Sequence, residues 1–205
     1  MKPYTTIRTE ASFEYEDRKS VFIGTAVPVS TEKDALDFIA FIKKKYPDAR
    51  HHVYAYVLRE NSIMRFSDDR EPQGTAGLPV LDAIRKNGCT DTAVVVIRYF
   101  GGTLLGTGGL VRAYSAAAVG AIEKAEIITY DIYTTSEISV SYSDYQKILP
   151  ILSDNNYRID DTNYSDSVII QGRLPKSAHE SFASALNEAV GGRCEIKILK
   201  EIFDF

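Results

Sequence analysis

The sequence predicts an α+β protein with two domains, and three observations carry this prediction. The chain has 205 residues, which suits two modest domains better than one small one. Predicted strands and helices alternate along its length, and the pattern changes near residues 126–134. The last part shows the order β-α-β-β-α-β, which is typical of ferredoxin-like domains. We therefore expect one domain over residues 1–130 and a ferredoxin-like domain over residues 131–205.

The individual elements follow from hydrophobic periodicity and turn residues. A capping-box spacing of Thr31 and Asp34 predicts the start of a helix that Pro47 ends. The run Thr92–Phe100 is continuously apolar and predicts a central strand covered on both faces. Other predicted strands span residues 7–14, 21–29, 52–58, 62–66, 133–142, 157–161, 167–171 and 194–202. Other predicted helices span residues 78–86, 110–124, 144–152 and 175–190.

Composition and charge exclude several classes of protein. Hydrophobic residues make up 44% of the chain and charged residues 25%, which is ordinary for a globular protein. The formal net charge is −4, so there is no overall basic signal for nucleic acid. Residues 1–130 nevertheless carry 17 Lys and Arg against 16 Asp and Glu, whereas residues 131–205 carry 7 against 12. A nucleic-acid partner is therefore expected at the first domain.

The chain shows no sign of export or membrane insertion. Its N-terminal 20 residues are charged throughout and lack the apolar stretch of a signal peptide. No apolar run approaches the roughly 18 residues of a transmembrane helix. Cys89 and Cys194 have neither C-x-x-C nor metal-ligand spacing, so we expect reduced thiols. We predict a soluble cytoplasmic protein without a cofactor or a membrane partner, and its oligomeric state stays open.

The strongest local signal is RYFGGTLLGTGGLVRAY, residues Arg98–Tyr114. A predicted strand leads into this glycine-rich segment and a predicted helix leads out, so exposed N–H groups and the helix dipole would favour an anion. Thr107 stands where a P-loop requires Lys, and Val111 breaks the pattern G-x-G-x-x-G, which disfavours nucleotide hydrolysis and dinucleotide binding. The alternative role is a turn that lets the helix pack closely on the sheet.

Aromatic and basic residues interleave around the same segment. Arg98-Tyr99-Phe100 and Arg112-x-Tyr114 can grip phosphate groups and stack on unpaired bases. Buried aromatic rings beside a salt-bridged arginine would produce the same sequence pattern. Both interpretations stay open at this point.

Two further segments offer candidate acid, base or metal-binding groups. The loop Ser67–Pro79 contains Asp68, Asp69 and Glu71, which can bind a hard cation or act as acid and base, although a solvated turn with local salt bridges explains them equally. His51 and His52 are adjacent on a predicted strand, so they point to opposite faces and cannot simply share a metal. His51 is a candidate base or stacking group, or a structural histidine. We predict no metal.

Four blocks of sequence together resemble the IMPACT/YigZ family, bacterial branch. They are the glycine-rich segment, Lys19-Ser20-x-Phe22, Ala49-x-His51-x-x-x-Ala55, and the loop from Ser67 to Pro79. Arg70 stands where the family usually has Gly, and Leu104 stands where many members carry Lys. The resemblance implies a first domain like domain IV of elongation factor G, with an unusual left-handed βαβ crossover, and a second domain like domain V of that factor.

The resemblance also implies functions linked to translation. The elongation-factor domains touch ribosomal RNA, and the eukaryotic relatives restrain the starvation-response kinase by competing for its activating partner. Three hypotheses stay open: a non-catalytic regulator that contacts RNA or the ribosome, a protein adaptor without RNA, and a metal-assisted hydrolase that uses His51, Asp68, Asp69 and Glu71. The residues expected to carry binding are Lys19, His51, Asp68, Asp69, Glu71, Arg98, Tyr99, Gly101, Gly102, Gly106, Thr107, Gly108, Gly109, Arg112 and Tyr114.

Overall fold

The computed structural model describes residues 2–205, without the side chain of Asn61. This part of the chain forms five α-helices and ten strands, so the predicted mixed α/β architecture is confirmed. It divides into two compact units. The first unit comprises Tyr4–Thr129, and the second comprises Tyr130–Phe205 together with the first residues of the chain. No helix within residues 2–205 combines the length and the apolar character that a membrane crossing requires.

The first unit is built on one antiparallel sheet. The unit contains the short strand β1 Tyr4–Ile7, which lies outside this sheet, and the sheet strands β2 Ala11–Asp17, β3 Ser20–Pro28, β4 His51–Leu58, β5 Ile63–Ser67 and β6 Thr92–Tyr99. Its helices are α1 Glu32–Lys45, α2 Gly77–Lys86 and α3 Gly106–Lys124. The sheet order is β2-β3-β6-β4-β5, and each neighbouring pair is antiparallel.

Strand β6 lies at the centre of this sheet and is apolar on both faces, as its sequence predicts. Val94 and Val96 pack toward α2 and α3, whereas Val95 and Ile97 pack toward α1. Helix α1 therefore covers one face of the sheet, and α2 and α3 cover the other. The predicted capping box starts α1: the Thr31 hydroxyl accepts the Asp34 N–H at 3.1 Å, and the Asp34 carboxylate accepts the Thr31 N–H at 2.9 Å.

The first unit contains two βαβ crossovers of opposite hand. One runs β3-α1-β4 across β6, and the other runs β5-α2-β6 across β4. When one face of the sheet is kept toward the viewer and the first strand of each crossover points up, both connections lead to a strand on the same side of the first. Their helices lie on opposite faces. One of the two crossovers is therefore left-handed, against the general rule for such connections.

The second unit has the predicted order β-α-β-β-α-β. Its elements are β7 Ile127–Val140, α4 Tyr142–Asp154, β8 Arg158–Tyr164, β9 Val168–Pro175, α5 His179–Val190 and β10 Glu195–Asp204. Its four strands pair antiparallel in the order β10-β7-β9-β8. Both helices pack on one face of this sheet, around a core that includes Ile138, Ile148, Phe182 and Leu186.

Several boundaries differ from the sequence-based expectations. Helix α3 begins at Gly106 rather than Leu110, so half of the glycine-rich segment is helical. Helix α5 begins at His179, because Lys176–Ala178 form a separate 3₁₀ turn after Pro175. The short strand β1 was not predicted, and β7 begins at Ile127 rather than Tyr133. Element ends are the part of a fold that local pattern specifies least.

Candidate functional site

Most of the sequence-predicted residues meet at one end of the first sheet. Val21 at the start of β3 pairs with Tyr99 at the end of β6, and His51 at the start of β4 pairs with Arg98. The loop that follows β5 and the first turn of α3 reach the same place. We call this region the loop end; it comprises residues 18–19, 50–51, 68–71 and 98–109, together with Arg112 and Tyr114.

A buried polar network lies at the centre of the loop end. The Glu71 carboxylate accepts hydrogen bonds from the Arg98 guanidinium at 2.7 Å and from the Tyr114 hydroxyl at 2.8 Å. The exposed fractions of the Glu71 and Arg98 side chains are only 4% and 8%. Burial, reinforced by the Glu71 charge, raises the pKa of the Tyr114 phenol far above its ordinary value. The network therefore ties the loop after β5 to both β6 and α3.

Three side chains of this region occupy one row across the sheet. Phe22, Arg98 and His51 sit at paired positions on β3, β6 and β4, so they point to the same face. The Arg98 guanidinium carbon lies 5.4 Å from the centre of the Phe22 ring, within the range of a cation–π contact. The arginine is thus held by a ring on one side and by the Glu71 carboxylate on the other.

The two adjacent histidines point to opposite faces of β4. The Nδ1 atom of His51 lies 2.8 Å from the Asp69 main-chain oxygen, so this nitrogen carries the donated hydrogen. Its Nε2 atom lies 3.8 Å from a Glu71 carboxylate oxygen. The ring of His52 instead reaches the Tyr46 main-chain oxygen at 2.8 Å. His51 therefore faces Glu71, whereas the His52 ring lies on the other face, with its Nδ1 atom 3.8 Å from an Asp69 carboxylate oxygen.

The acidic loop uses its carboxylates in three directions. Asp68 accepts the backbone N–H groups of Gly74, Ala76 and Gly77 at 2.8–3.1 Å. Asp69 accepts the backbone N–H of His52 at 2.6 Å. Only Glu71 turns toward His51, and the described residues contain no group of three or more His, Cys, Asp or Glu placed to hold a metal ion. The carboxylates thus organise the loop rather than converge on one point.

The loop makes a tight turn at Arg70 without a glycine. Arg70 takes the left-handed conformation, with φ of 71°, directly after Asp69 with φ of 40°. The Glu71 N–H closes the turn by donating to the Asp68 main-chain oxygen at 2.9 Å. Arg70 accepts a conformation that costs a non-glycine residue about 1 kcal/mol or more. This conformation places the exposed Arg70 guanidinium at the edge of the loop end.

The five glycines of the segment serve different purposes. A side chain at Gly101 would overlap the Lys19 backbone, and one at Gly109 would lie 2.8 Å from the Leu105 Cβ atom. These two positions allow close packing. Gly102 and Gly106 adopt positive φ values of 85° and 73° and face open space. A side chain at Gly108 would meet the Arg112 Nη1 atom at an ordinary contact distance of 3.8 Å, so these three glycines leave room for an outside group.

The first turn of α3 is exposed and lacks a side-chain cap. Leu105 occupies the N-cap position and makes no side-chain hydrogen bond to the helix. Thr107 and Gly108 are exposed, and the exposed Arg112 follows one turn later. The first N–H groups of a helix are unsatisfied by its own carbonyls and carry a partial positive charge. This end of α3 therefore adds to the positive character of the loop end.

A cavity of about 220 Å³ opens beside the buried network. Its lining includes Arg50, His51, Arg70, Arg98, Phe100 and Leu104, and one wall is formed by Glu71. The Arg98 Nε atom is buried and has no hydrogen-bond partner among the described residues. Sequence reasoning did not select Arg50 or Leu104 as site residues, and it placed Phe100 in the pattern Arg98-Tyr99-Phe100 without including it among the expected binding residues.

Among the predicted binding residues, His51, Glu71 and Arg98 line the cavity, whereas Tyr99, Lys19 and Tyr114 do not. Tyr99 points to the other face of the sheet, where its hydroxyl donates to an Asp48 carboxylate oxygen at 3.1 Å, and burial raises the pKa of its phenol. Lys19 is exposed in the turn between β2 and β3, with φ of 65°. Tyr114 belongs to the network but is completely buried, so it supports the site and does not reach an outside group.

The fold and the site together define a two-unit α+β protein whose first unit carries an arginine-lined cavity over a buried Glu–Arg pair. The model of the Impact N-terminal domain matches residues 18–122, which include the whole loop end. A family described as a domain of unknown function (DUF1949) matches residues 138–193 of the second unit. The chain belongs to the IMPACT family.

Relatives from bacteria match over almost the whole chain. The IMPACT family member YvyE of Bacillus subtilis is 34% identical over 95% of this chain and 90% of that protein. The IMPACT family member YigZ of Escherichia coli is 31% identical over 91% of this chain and 93% of that protein. A crystal structure described as that of a hypothetical protein is similar with a TM-score of 0.60 and 28% identity, and the match covers 98% of both chains.

A mammalian relative matches a shorter part. The protein called Protein IMPACT of Bos taurus is 34% identical over 94 residues, which amount to 44% of this chain and 30% of that protein. The likeness to this relative is therefore partial, whereas the two bacterial relatives match over more than 90% of this chain.

Proposed function

We propose that this chain is a non-catalytic, cytoplasmic regulator linked to translation, which binds RNA or the ribosome through the loop end of its first domain. The observation that carries the proposal is a group of exposed cationic side chains around the exposed Phe100 ring. They are Arg18, Lys19, Arg50, Arg70 and Arg112. Clustered cations with an accessible aromatic ring suit a nucleic-acid backbone and its unpaired bases.

The nearby acids leave these cations largely uncompensated. Asp68 binds backbone N–H groups, Asp69 binds the His52 N–H, and Glu71 is shielded by Arg98 and Tyr114. The contact from Arg70 to Asp69 is long, at 4.0 Å. The second domain, residues 131–205, has an excess of acidic residues. A polyanion is therefore attracted to the loop end and repelled by the other domain.

The fold supports the same interpretation. The resemblance of the first domain to domain IV of elongation factor G implies one left-handed crossover, and the strand order with helices on opposite faces requires one. The β-α-β-β-α-β order of the second domain agrees with a likeness to domain V. Fold alone does not establish function, so the charges of the loop end carry the weight of the proposal.

Co-sedimentation with purified ribosomes tests the proposal directly. We expect the protein to pellet with ribosomes at low salt and to be released at high salt, because counterion release drives such binding. The variant Arg18→Gln/Arg112→Gln should pellet less. The matched control Lys86→Gln/Lys124→Gln removes the same charge at the far ends of α2 and α3 and should pellet like the wild type. Pelleting that is absent at every salt concentration would reject the proposal.

A protein adaptor is the second candidate, and a groove between α2 and α3 favours it. Leu78 and Val111 line this groove, which has a volume of about 250 Å³, and their exposed fractions are 40% and 38%. Pull-downs from nuclease-treated lysate separate the two candidates. Partners that survive the nuclease would support an adaptor, whereas loss of every partner would exclude it.

A metal-assisted hydrolase receives little support from the geometry. It requires His51, Asp68, Asp69 and Glu71 to converge, but Asp68 faces the backbone of its own loop and Asp69 faces the His52 N–H. Glu71 alone approaches His51, and its carboxylate is already held by Arg98. A buried carboxylate that already accepts hydrogen bonds from Arg98 and Tyr114 suits a structural role.

A further inference from the structure

We propose that the arginine-lined cavity of the loop end holds one phosphate group of single-stranded RNA while Phe100 stacks on an adjoining base. The inference rests on the proposed function and adds to it a specific subsite. The first observation that supports this inference is the volume of the cavity. The cavity of about 220 Å³ is smaller than the roughly 300–1,000 Å³ of sites that enclose a whole small molecule, so it suits a compact group.

The lining chemistry selects an anion. Arg50, Arg70 and Arg98 supply three guanidinium groups, against the single carboxylate of Glu71. Guanidinium groups bind phosphate oxygens through paired hydrogen bonds, which makes phosphate a better match than a point charge. Arg98 is 6% exposed, and its buried Nε atom has no partner within residues 2–205. Such an unpaired buried donor is costly, and it shows that the single carboxylate of Glu71 leaves the Arg98 guanidinium incompletely satisfied.

The buried network prepares the site without closing it. Glu71, whose carboxylate is itself held by the Tyr114 hydroxyl, fixes the Arg98 guanidinium, and the Phe22 ring packs against it. The Arg70 guanidinium remains exposed and is held more loosely, by a hydrogen bond to the Arg50 main-chain oxygen at 3.2 Å and a 4.0 Å contact with the Asp69 carboxylate. The cavity thus has one rigid arginine at its base and two exposed arginines at its rim, which can close on a ligand.

The rim of the cavity indicates nucleic acid rather than an isolated phosphate. The Phe100 ring is 46% exposed and lies 5.6 Å from the Arg98 guanidinium carbon, and the neighbouring Leu104 is 81% exposed. A base can stack on an exposed ring while its phosphate enters the cavity. Arg18, whose guanidinium donates to the Leu104 main-chain oxygen at 3.4 Å, offers a contact for the next phosphate. A phosphoserine peptide would use neither feature.

Fluorescence titrations with short RNA at several salt concentrations test the phosphate contact. The probes are a labelled octauridylate and an abasic ribose-phosphate chain of the same length. We expect Arg50→Gln/Arg70→Gln to lower the slope of log affinity against log salt by about 0.7, the value for one phosphate contact on a single strand. The control Lys86→Gln/Lys124→Gln should keep the wild-type slope. An unchanged slope in the cavity variant would overturn the inference.

The stacking contact has its own test with the same probes. The wild type should prefer the octauridylate over the abasic chain by about fivefold or more. Phe100→Leu should reduce this preference toward unity and leave the abasic affinity unchanged.

The outcomes separate the subsite from the proposed function. RNA binding that is lost in Arg18→Gln/Arg112→Gln but unaffected in Arg50→Gln/Arg70→Gln and in Phe100→Leu rejects the subsite and keeps the proposed function. Absence of any RNA or ribosome binding by the wild type rejects both. Competition by a phosphoserine peptide with no base preference would also overturn the stacking inference.

Discussion

The Glu71 carboxylate accepts a hydrogen bond from the Arg98 guanidinium at 2.7 Å where both side chains are almost completely buried. This pair joins the loop after β5 to β6, the central strand of the first sheet. The Tyr114 hydroxyl donates to the same carboxylate and so joins α3 to the loop as well. The loop end is therefore part of the core of the domain. A change at Glu71 affects stability and the cavity together, whereas a change at exposed Arg50 or Arg70 affects the cavity alone.

Glu71→Gln should destabilise the first domain strongly. The substitution removes the charge that compensates Arg98 but leaves the arginine buried, which typically costs about 3–5 kcal/mol. Urea unfolding monitored by circular dichroism measures the loss. Glu16→Gln makes the same charge change at an exposed position and should stay within about 0.5 kcal/mol of the wild type. A loss for Glu71→Gln below about 1 kcal/mol would show that the pair does not hold the loop.

Two glycine substitutions should separate packing from accessibility. Gly101→Ala places a methyl group into the Lys19 backbone, so we expect a loss of about 1–3 kcal/mol from overpacking. Gly108→Ala meets no atom closer than the Arg112 Nη1 atom at 3.8 Å, so the domain should keep its stability or gain up to about 1 kcal/mol of helix propensity. Thermal unfolding compares the two variants. Equal stability of both would contradict the assigned role of Gly101.

The second domain should lose stability in acid through Asp144. Hydrogen bonds from Arg193, at 3.0 and 3.1 Å, and from Lys147, at 2.7 Å, hold the pKa of the buried Asp144 carboxyl well below its ordinary value of 3.8. A lowered pKa in the folded state contributes stability that is complete above the ordinary value and disappears as the pH falls toward the folded value.

The measurement for Asp144 is the stability of the second domain as a function of pH. Between about pH 5 and about pH 2, the wild type should lose more stability than Asp144→Asn, which has no carboxyl to protonate. Asp166→Asn, in the turn between β8 and β9, serves as a control that should follow the wild type. Parallel curves for the wild type and Asp144→Asn would refute the assignment.

The two thiols should differ in reactivity. Burial raises the pKa of the Cys89 thiol to about 11, and only 4% of this residue is exposed. Cys194 is half-buried, and burial raises the pKa of its thiol as well. Because the thiolate is the reactive form, we expect a Cys194→Ser variant to resist alkylation at neutral pH until urea unfolds it. Fast labelling of Cys89 in this variant under native conditions would contradict the burial.

Local sequence patterns determined much of the fold. Three features depend on residues that lie close together in the chain: the apolar run of β6, the Thr31–Asp34 capping box, and the periodicities that give the order β-α-β-β-α-β. Such patterns act over one turn or one strand, so they can be recognised without knowing the tertiary structure. The start of α3 was misplaced because glycine disfavours helices, yet the uncapped first turn here is made of Gly106, Thr107, Gly108 and Gly109.

The sequence by itself determined the helices, all strands except β1, the family resemblance and the list of candidate residues. Only the tertiary structure decided which of them work together. Glu71 meets Arg98 across 27 positions and Tyr114 across 43, Tyr99 turns away to the other face, and Arg50 joins the cavity. The physical reason is that burial and partner choice depend on strand order and on the face that each helix covers, and these are properties of long-range packing rather than of local pattern.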